Sequence, residues 1–170
     1  MMLYPENIPQ ELKDKKIWTC IDKQKHSFNP LIGTSSSADS PNTLTDFQSC
    51  LNAVNDGVYP FLSFSLPEGY TVIEIENCYS GYDYNDFTKE LLERCESYAE
   101  EMESGFGLRI ICKGKSTSSF SKSRVYKQRI NVYSGNRLVT ITGHVLSDRK
   151  SIVHCQSFID QIHDEEWEYR

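Results

Sequence analysis

The sequence lacks a long apolar run, and no stretch approaches the roughly 18 apolar residues needed to span a bilayer. Its N-terminus has neither a basic start nor an apolar segment, which predicts no secretory signal peptide. The six cysteines are scattered and form no Cys-x-x-Cys pair, which argues against a zinc ribbon and for reduced thiols in the core. These absences predict a cytoplasmic protein with no membrane partner.

The chain is long enough and apolar enough to bury a core. It has 170 residues, of which 38% are hydrophobic and 12% are aromatic, so the composition predicts a globular domain. We expect residues 1–150 to form this domain. Residues 151–170 are expected to add a C-terminal helix and tail that pack on it.

Hydrophobic periodicity predicts an α+β fold. Helices are predicted at 9–13, 43–54, 86–102 and 152–162, and the third has the clearest apolar stripe. Strands are predicted at 17–21, 61–66, 70–78, 108–112, 129–133 and 138–142, with a long irregular segment at 23–42. The last two strands are expected to form a hairpin around the turn residues Ser134, Gly135 and Asn136.

Acidic and basic residues are segregated along the chain, whose net charge is −6. Residues 68–103 contain eleven acids and only two cations. Residues 104–147 contain no acid and eight cations, which are Arg109, Lys113, Lys115, Lys122, Arg124, Lys127, Arg129 and Arg137. Like charges repel, so this segregation favours a partner, and we expect function near the border at 103–107.

Aromatic residues are interleaved with the basic run, among them Tyr126 and Tyr133. Cations that contact phosphates, beside aromatic rings that stack on bases, are typical of single-strand binding. We therefore predict that the eight cations, Tyr126 and Tyr133 contact nucleic acid. The alternative is an ordinary solvated basic face.

Two acids alternate with isoleucines at Ile73-Glu74-Ile75-Glu76. On a strand, Glu74 and Glu76 share one face about 7 Å apart, where they can converge on Mg²⁺ or Mn²⁺. The alternative is two solvated acids. The following Gly105-Phe106-Gly107 turn lets backbone amides approach a phosphate that Arg109 can bind, although the same pattern also occurs in a simple turn.

In this order and spacing, these motifs resemble the primase-polymerase domain of phage and plasmid replication proteins, within the archaeo-eukaryotic primase superfamily. The resemblance runs from about Ile8 to Leu146 and matches best at its end, Thr140-Ile141-Thr142-Gly143-His144. It implies a central mixed or antiparallel sheet with flanking helices. It also implies that Glu74, Glu76 and Arg109 hold the catalytic positions, with Glu74 and Glu76 as ligands of Mg²⁺ or Mn²⁺.

The departures from the family pattern fall on those catalytic positions. Glu74 and Glu76 replace two Asp, Arg109 replaces a His, and Asn131 replaces a third acid. Polymerase geometry tolerates little displacement of its metal ions, and Arg does not shuttle protons. The resemblance therefore implies a kept fold without primase activity, and a site lined also by Arg137 and Thr142.

Three hypotheses follow. The first is a non-polymerising, primase-like module of a phage or mobile element that binds single-stranded DNA or RNA, or a nucleic-acid-processing protein complex. The second is an anti-CRISPR-type inhibitor, in which the acids of the helix at 86–102 and the adjoining Glu103 mimic phosphates. The third is a residual metal-dependent nuclease or nucleotidyl transferase that uses Glu74 and Glu76.

Overall fold

The computed structural model describes residues 2–79, 82–124 and 128–164, without the side chains at 123, 124 and 128. The chain forms two compact units. Unit 1 comprises Met1–Glu68 and Gly135–Gly143, and unit 2 comprises Gly69–Ser134 and His144–Arg170. Each unit contains an antiparallel five-stranded sheet, so the α+β class is confirmed, with the strands divided between two sheets. Within the described ranges, no helix has the length and apolarity to cross a membrane.

Unit 1 is built around Trp18. Its indole N–H donates to the carbonyl of Leu12 at 3.0 Å, and its ring meets Phe47 edge-on at 4.8 Å. The sheet order is β10-β4-β1-β2-β3. Its strands are β1 (Trp18–Ile21), β2 (Ser27–Asn29), β3 (Thr34–Ser35), β4 (Phe61–Ser65) and β10 (Leu138–Ile141), and its helices are α1 (Gln10–Lys13) and α2 (Phe47–Asn55).

Unit 2 has the sheet order β6-β7-β5-β9-β8. Its elements are β5 (Tyr70–Glu76), α3 (Asp86–Arg94), β6 (Tyr98–Glu101), β7 (Leu108–Lys113), β8 (Phe120–Arg124), β9 (Gln128–Ser134) and α4 (Gln156–Asp164). Alternate residues of the central strands, including Ile73, Ile75 and Ile110, form one buried cluster with the apolar sides of α3 and α4. The opposite face of the sheet carries Glu74, Arg109 and Asn131 of the same strands.

The predicted helix at 86–102 is wrong beyond Arg94. Cys95 takes an extended backbone conformation (φ −133°, ψ 94°), and Tyr98–Glu101 forms β6, which pairs with β7. Tyr98 and Ala99 are both buried. Burial of these two residues is expected for the apolar side of a helix as well as for a strand. An apolar pattern this short does not separate a continued helix from a strand, and the pairing with β7 decides the outcome.

The predicted hairpin of residues 129–133 and 138–142 is also wrong. β9 pairs with β5 and β8 in unit 2, whereas β10 pairs with β4 in unit 1. Gly135 and Asn136 have positive φ, as a tight turn would need, but the chain uses them to pass from one sheet to the other. The segment at 23–42 is less irregular than predicted, since it contains β2 and β3.

Candidate functional site

Four strands of unit 2 place polar side chains in one row across the sheet. Glu100 on β6 lies opposite Arg109 on β7, Arg109 lies opposite Glu74 on β5, and Glu74 lies opposite Asn131 on β9. Directly paired residues share one face of an antiparallel sheet. The row therefore lies on the face opposite the Ile73 and Ile75 cluster.

Arg109 is the centre of this row. Its Nε and Nη2 atoms donate to Oε1 of Glu74 at 3.0 and 2.8 Å, and Nη1 donates to Oε1 of Glu100 at 2.9 Å. Nη2 also lies 3.5 Å from Oε2 of Glu103. Only 3% of the Arg109 side chain is exposed, and none of the Glu100 side chain is. The guanidinium thus lies among three carboxylates in the part of the chain that the structure describes.

Two tyrosine hydroxyls also contact these acids. Tyr133 donates to Oε1 of Glu74 at 2.9 Å, and Tyr98 donates to Oε2 of Glu100 at 2.7 Å. Burial alone would lower the pKa of Arg109, but the charges of Glu100 and Glu74 outweigh it and raise that pKa above its ordinary value. Arg109 is therefore a permanent cation in the interior.

Glu76 has its own donor on the neighbouring strand. The side-chain amide of Asn131 donates to Oε1 of Glu76 at 2.8 Å. Oε1 of Glu74 accepts from three donor atoms, although a carboxylate oxygen offers only about two lone-pair sites. Protein donors thus occupy Oε1 of each acid. The role of Glu74 and Glu76 as ligands of Mg²⁺ or Mn²⁺ stays a prediction.

The predicted nucleic-acid-binding residues do not form one strip. Arg109 and Tyr133 are buried, and Nζ of Lys122 donates to the carbonyls of Ile162 and His163 at 3.3 and 2.6 Å, at the end of α4. Register places Lys122 on the helix-covered face with Ile130. Each of these three side chains therefore has a clear structural role in unit 2.

Other members of the basic run are more accessible. Lys115 and Arg129 are exposed, and Lys113 is half-buried with its Nζ 5.8 Å from the centre of the Tyr70 ring. Arg137 is exposed and belongs to unit 1, as does the buried Thr142. Tyr126 and Lys127, which are also predicted to contact nucleic acid, lie outside the described residues, as does the side chain of Arg124.

The glycine turn at the charge border has a packing role. A Cβ atom on Gly107 would lie 3.0 Å from the carbonyl oxygen of Ile75 and 2.8 Å from Sδ of Met102. The carbonyl of Phe106 accepts from the N–H of Cys78 at 3.1 Å, just past the end of β5. Glycine is therefore required at 107 for close approach of two backbones.

The second hypothesis needs the acids of residues 86–103 to lie along one helix, and the structure does not form this arrangement. Glu90 and Glu93 lie on α3, but Glu100 is a buried residue of β6 that pairs with Arg109. Sequence reasoning missed the roles of Tyr98, Glu100 and Glu103 for the same reason. No local pattern reveals the contact, because only the pairing of β6 with β7 brings Glu100 to Arg109.

Three cysteines, predicted to be separate core residues, converge on the other face of unit 2. The sulfur atoms of Cys95, Cys112 and Cys155 all lie within 4.8 Å of one another, and those of Cys95 and Cys155 are 2.9 Å apart. A hydrogen bond from the Cys112 thiol lowers the pKa of Cys155 to about 6, although burial acts in the opposite direction. Widely spaced cysteines gave no sequence signal for this cluster.

A scan against models of protein families finds none that matches this chain, and a search of curated proteins finds no match either. The resemblance to the primase-polymerase domain therefore rests on the motifs and stays a prediction.

Proposed function

We propose that this chain is a non-polymerising module of the primase-polymerase type, from a phage or mobile element. Its role is to bind single-stranded nucleic acid or a complex that contains it, in the cytoplasm. The observation that carries the proposal is that Glu74 and Glu76 each accept a hydrogen bond from a side chain on a neighbouring strand. Arg109 and Asn131 stand where the family pattern has a His and a third acid, and each donates to one of the two acids.

Arg109 in place of a His and Asn131 in place of an acid have the same effect, because each gives a carboxylate a hydrogen-bond donor. A polymerase site needs carboxylate oxygens that are open to metal ions. Here Arg109 brings a positive charge to Glu74 and Asn131 donates an N–H to Glu76, so Oε1 of each acid is satisfied without an ion. This pattern supports a site in which former ligand positions now stabilise the sheet.

The binding half of the proposal is supported by cations at the surface. Lys115 and Arg129 are exposed on unit 2 in a stretch without acids, and such residues contact phosphates through charge. Because base-stacking by the buried ring of Tyr133 is excluded in this conformation, phosphate contacts are the main expected source of affinity. Binding should therefore depend strongly on salt and weakly on sequence.

Two experiments, each comparing the wild-type protein with a variant, test the two halves. Calorimetric titration with Mg²⁺ and Mn²⁺ should show no binding that depends on Glu74 and Glu76. A metal-binding heat that disappears in Glu74→Ala/Glu76→Ala would instead support a residual nuclease or nucleotidyl transferase.

Fluorescence anisotropy with single-stranded DNA and RNA, over a salt series, tests the second half. Lys115→Ala/Arg129→Ala should weaken binding, and the slope of log affinity against log salt should fall by about 1 for each lost phosphate contact. Lys23→Ala, at an exposed lysine of unit 1 outside the basic run, is the control. Absence of binding to both nucleic acids at physiological salt would remove this half of the proposal.

A further inference from the structure

The cysteine cluster of unit 2 joins three separate elements. Cys95 follows the last residue of α3, Cys112 lies on β7, and Cys155 precedes the first residue of α4. Cys95 and Cys112 are buried, and Cys155 is partly exposed. The cluster lies on the helix-covered face of the sheet, opposite to the row around Arg109.

The backbone holds all three positions. The N–H of Cys155 donates to the carbonyl of Lys113 at 2.8 Å, and the N–H of Lys113 donates to the carbonyl of Val153 at 2.8 Å. The N–H of Cys95 donates to the carbonyl of Leu91 at 3.1 Å, which closes the last turn of α3. The sulfur atoms are therefore positioned by main-chain hydrogen bonds of the fold as well as by their own contacts.

The spacing of the sulfur atoms suits one tetrahedral metal ion. Zn–S bonds of about 2.3 Å place the sulfur ligands about 3.8 Å apart. The sulfur atoms of Cys95 and Cys155 are 2.9 Å apart, and no pair in the cluster is more than 4.8 Å apart. Side-chain adjustments of about 1 Å would bring all three separations to about 3.8 Å.

The surroundings suit a group with negative charge. Three thiolates around Zn²⁺ leave a net charge of −1. Cys155 precedes a nine-residue helix whose first N–H groups favour an anion. The guanidinium of Arg149 donates to the carbonyl of Cys95 at 2.8 Å and so places a cation beside the cluster.

We propose that Cys95, Cys112 and Cys155 form a site for one Zn²⁺ ion, whose fourth position is filled by a small exchangeable ligand from solvent. Thiolates select thiophilic cations such as Zn²⁺, whereas Mg²⁺ and Mn²⁺ prefer oxygen ligands. The partly exposed Cys155 provides the side from which the ion and the fourth ligand enter. The bound ion fastens the end of α3 and the start of α4 to β7.

The test uses the untagged, reduced, metal-free chain of 170 residues, titrated with Co²⁺ as a spectroscopic substitute and then with Zn²⁺. We expect one ion per chain and a thiolate-to-cobalt charge-transfer absorption that Zn²⁺ abolishes. Cys155→Ser should weaken binding by about tenfold or more, since even outer-shell partners of a metal contribute about 10–100-fold. Cys78→Ser, at a buried cysteine of unit 2 outside the cluster, should keep the affinity.

A second measurement needs no variant. Zn²⁺ should protect Cys95, Cys112 and Cys155 from alkylation, as mapped by peptide mass spectrometry, and should raise the melting temperature in proportion to the logarithm of its concentration. The site would be overturned by absence of Zn²⁺ binding in the reduced protein. It would also be overturned by binding that Cys155→Ser leaves unchanged and that protects none of the three thiols.

Discussion

Nη1 of Arg109 donates a 2.9 Å hydrogen bond to Oε1 of Glu100, directly across the pairing of β6 with β7. At most 3% of either side chain is exposed. Buried charges lose their hydration, so such a pair persists only because each partner satisfies the other. The relationship makes Arg109 a structural centre of unit 2.

Replacement of Arg109 by methionine should destabilise the protein strongly. The substitution keeps much of the side-chain volume but removes the cation from three carboxylates, and breaking a buried ion pair in this way costs about 3–5 kcal/mol. Denaturant unfolding measures the loss. Arg129→Met, at an exposed cation of the same sheet, should stay within about 0.5 kcal/mol of wild type. Equal effects of the two substitutions would contradict the central role of Arg109.

Asn131→Asp should bind Mn²⁺ more tightly than the wild type does. The substitution removes the N–H that now satisfies Oε1 of Glu76 and adds a second carboxylate beside it. The like charges repel at neutral pH, so the variant should melt below wild type without metal and recover on addition of Mn²⁺. Asn131→Ala, which removes the donor without adding charge, is the control. A Mn²⁺-dependent rise in the wild type equal to that of the variant would contradict the prediction.

The start of α2 should give unit 1 a pH-dependent stability. Asp46 accepts from the N–H of Ser49 at 2.9 Å and from its hydroxyl at 2.8 Å, and these bonds hold the pKa of Asp46 below its ordinary value of 3.8. A lowered pKa means that the contribution is fully present above pH 3.8 and is lost as the pH falls through the folded-state pKa.

Asp46→Ala should therefore cost about 1 kcal/mol at pH 7. The difference from wild type should shrink below pH 3.8, because the protonated wild-type side chain loses the same bonds. Thermal unfolding at a series of pH values measures it. Gln48→Ala, at an exposed residue of α2 that does not titrate, is the control and should show no such narrowing. A difference that stays constant at all pH values would rule out the capping role.

Lys122 should act through stability, not through nucleic acid. Its Nζ donates to the carbonyls of Ile162 and His163, at the end of α4 where a cation is favourable. Lys122→Met should lower the free energy of unfolding by about 1 kcal/mol and leave the salt slope of nucleic-acid binding unchanged. Lys115→Met should leave the free energy of unfolding unchanged and should reduce the salt slope of nucleic-acid binding. A reduced salt slope in the folded Lys122→Met protein would show that this lysine contacts phosphate.

Much of the element pattern could be predicted from the sequence. The α+β class, β1, β4, β5 and β7 follow from apolar alternation, and α4 follows from its apolar spacing. The boundary of α3 could not be predicted, because Tyr98 and Ala99 suit both a helix and a strand. The mistaken hairpin has a different cause: a turn signal specifies a local bend but not which sheet receives the next strand.

The sequence predicts which residues belong to the candidate site, but not which of them are in contact. The motifs identify Glu74, Glu76, Arg109 and Asn131, and unit 2 brings them into adjacent positions. That Oε1 of each acid accepts from a neighbouring strand could not be predicted, because these contacts depend on the register of three strands. The cysteine cluster depends in the same way on contacts between residues far apart in sequence, so spacing gave no indication of it.

The insertion of β10 into unit 1 sets an order for folding during translation. Residues 138–141 pair with residues 62–65, so one edge of β4 has no partner until every strand of unit 2 has left the ribosome. An open strand edge is a template for wrong pairing with other chains. A nascent chain that stalls before residue 138 therefore exposes the edge of β4, which the late four-residue strand β10 covers in the finished sheet.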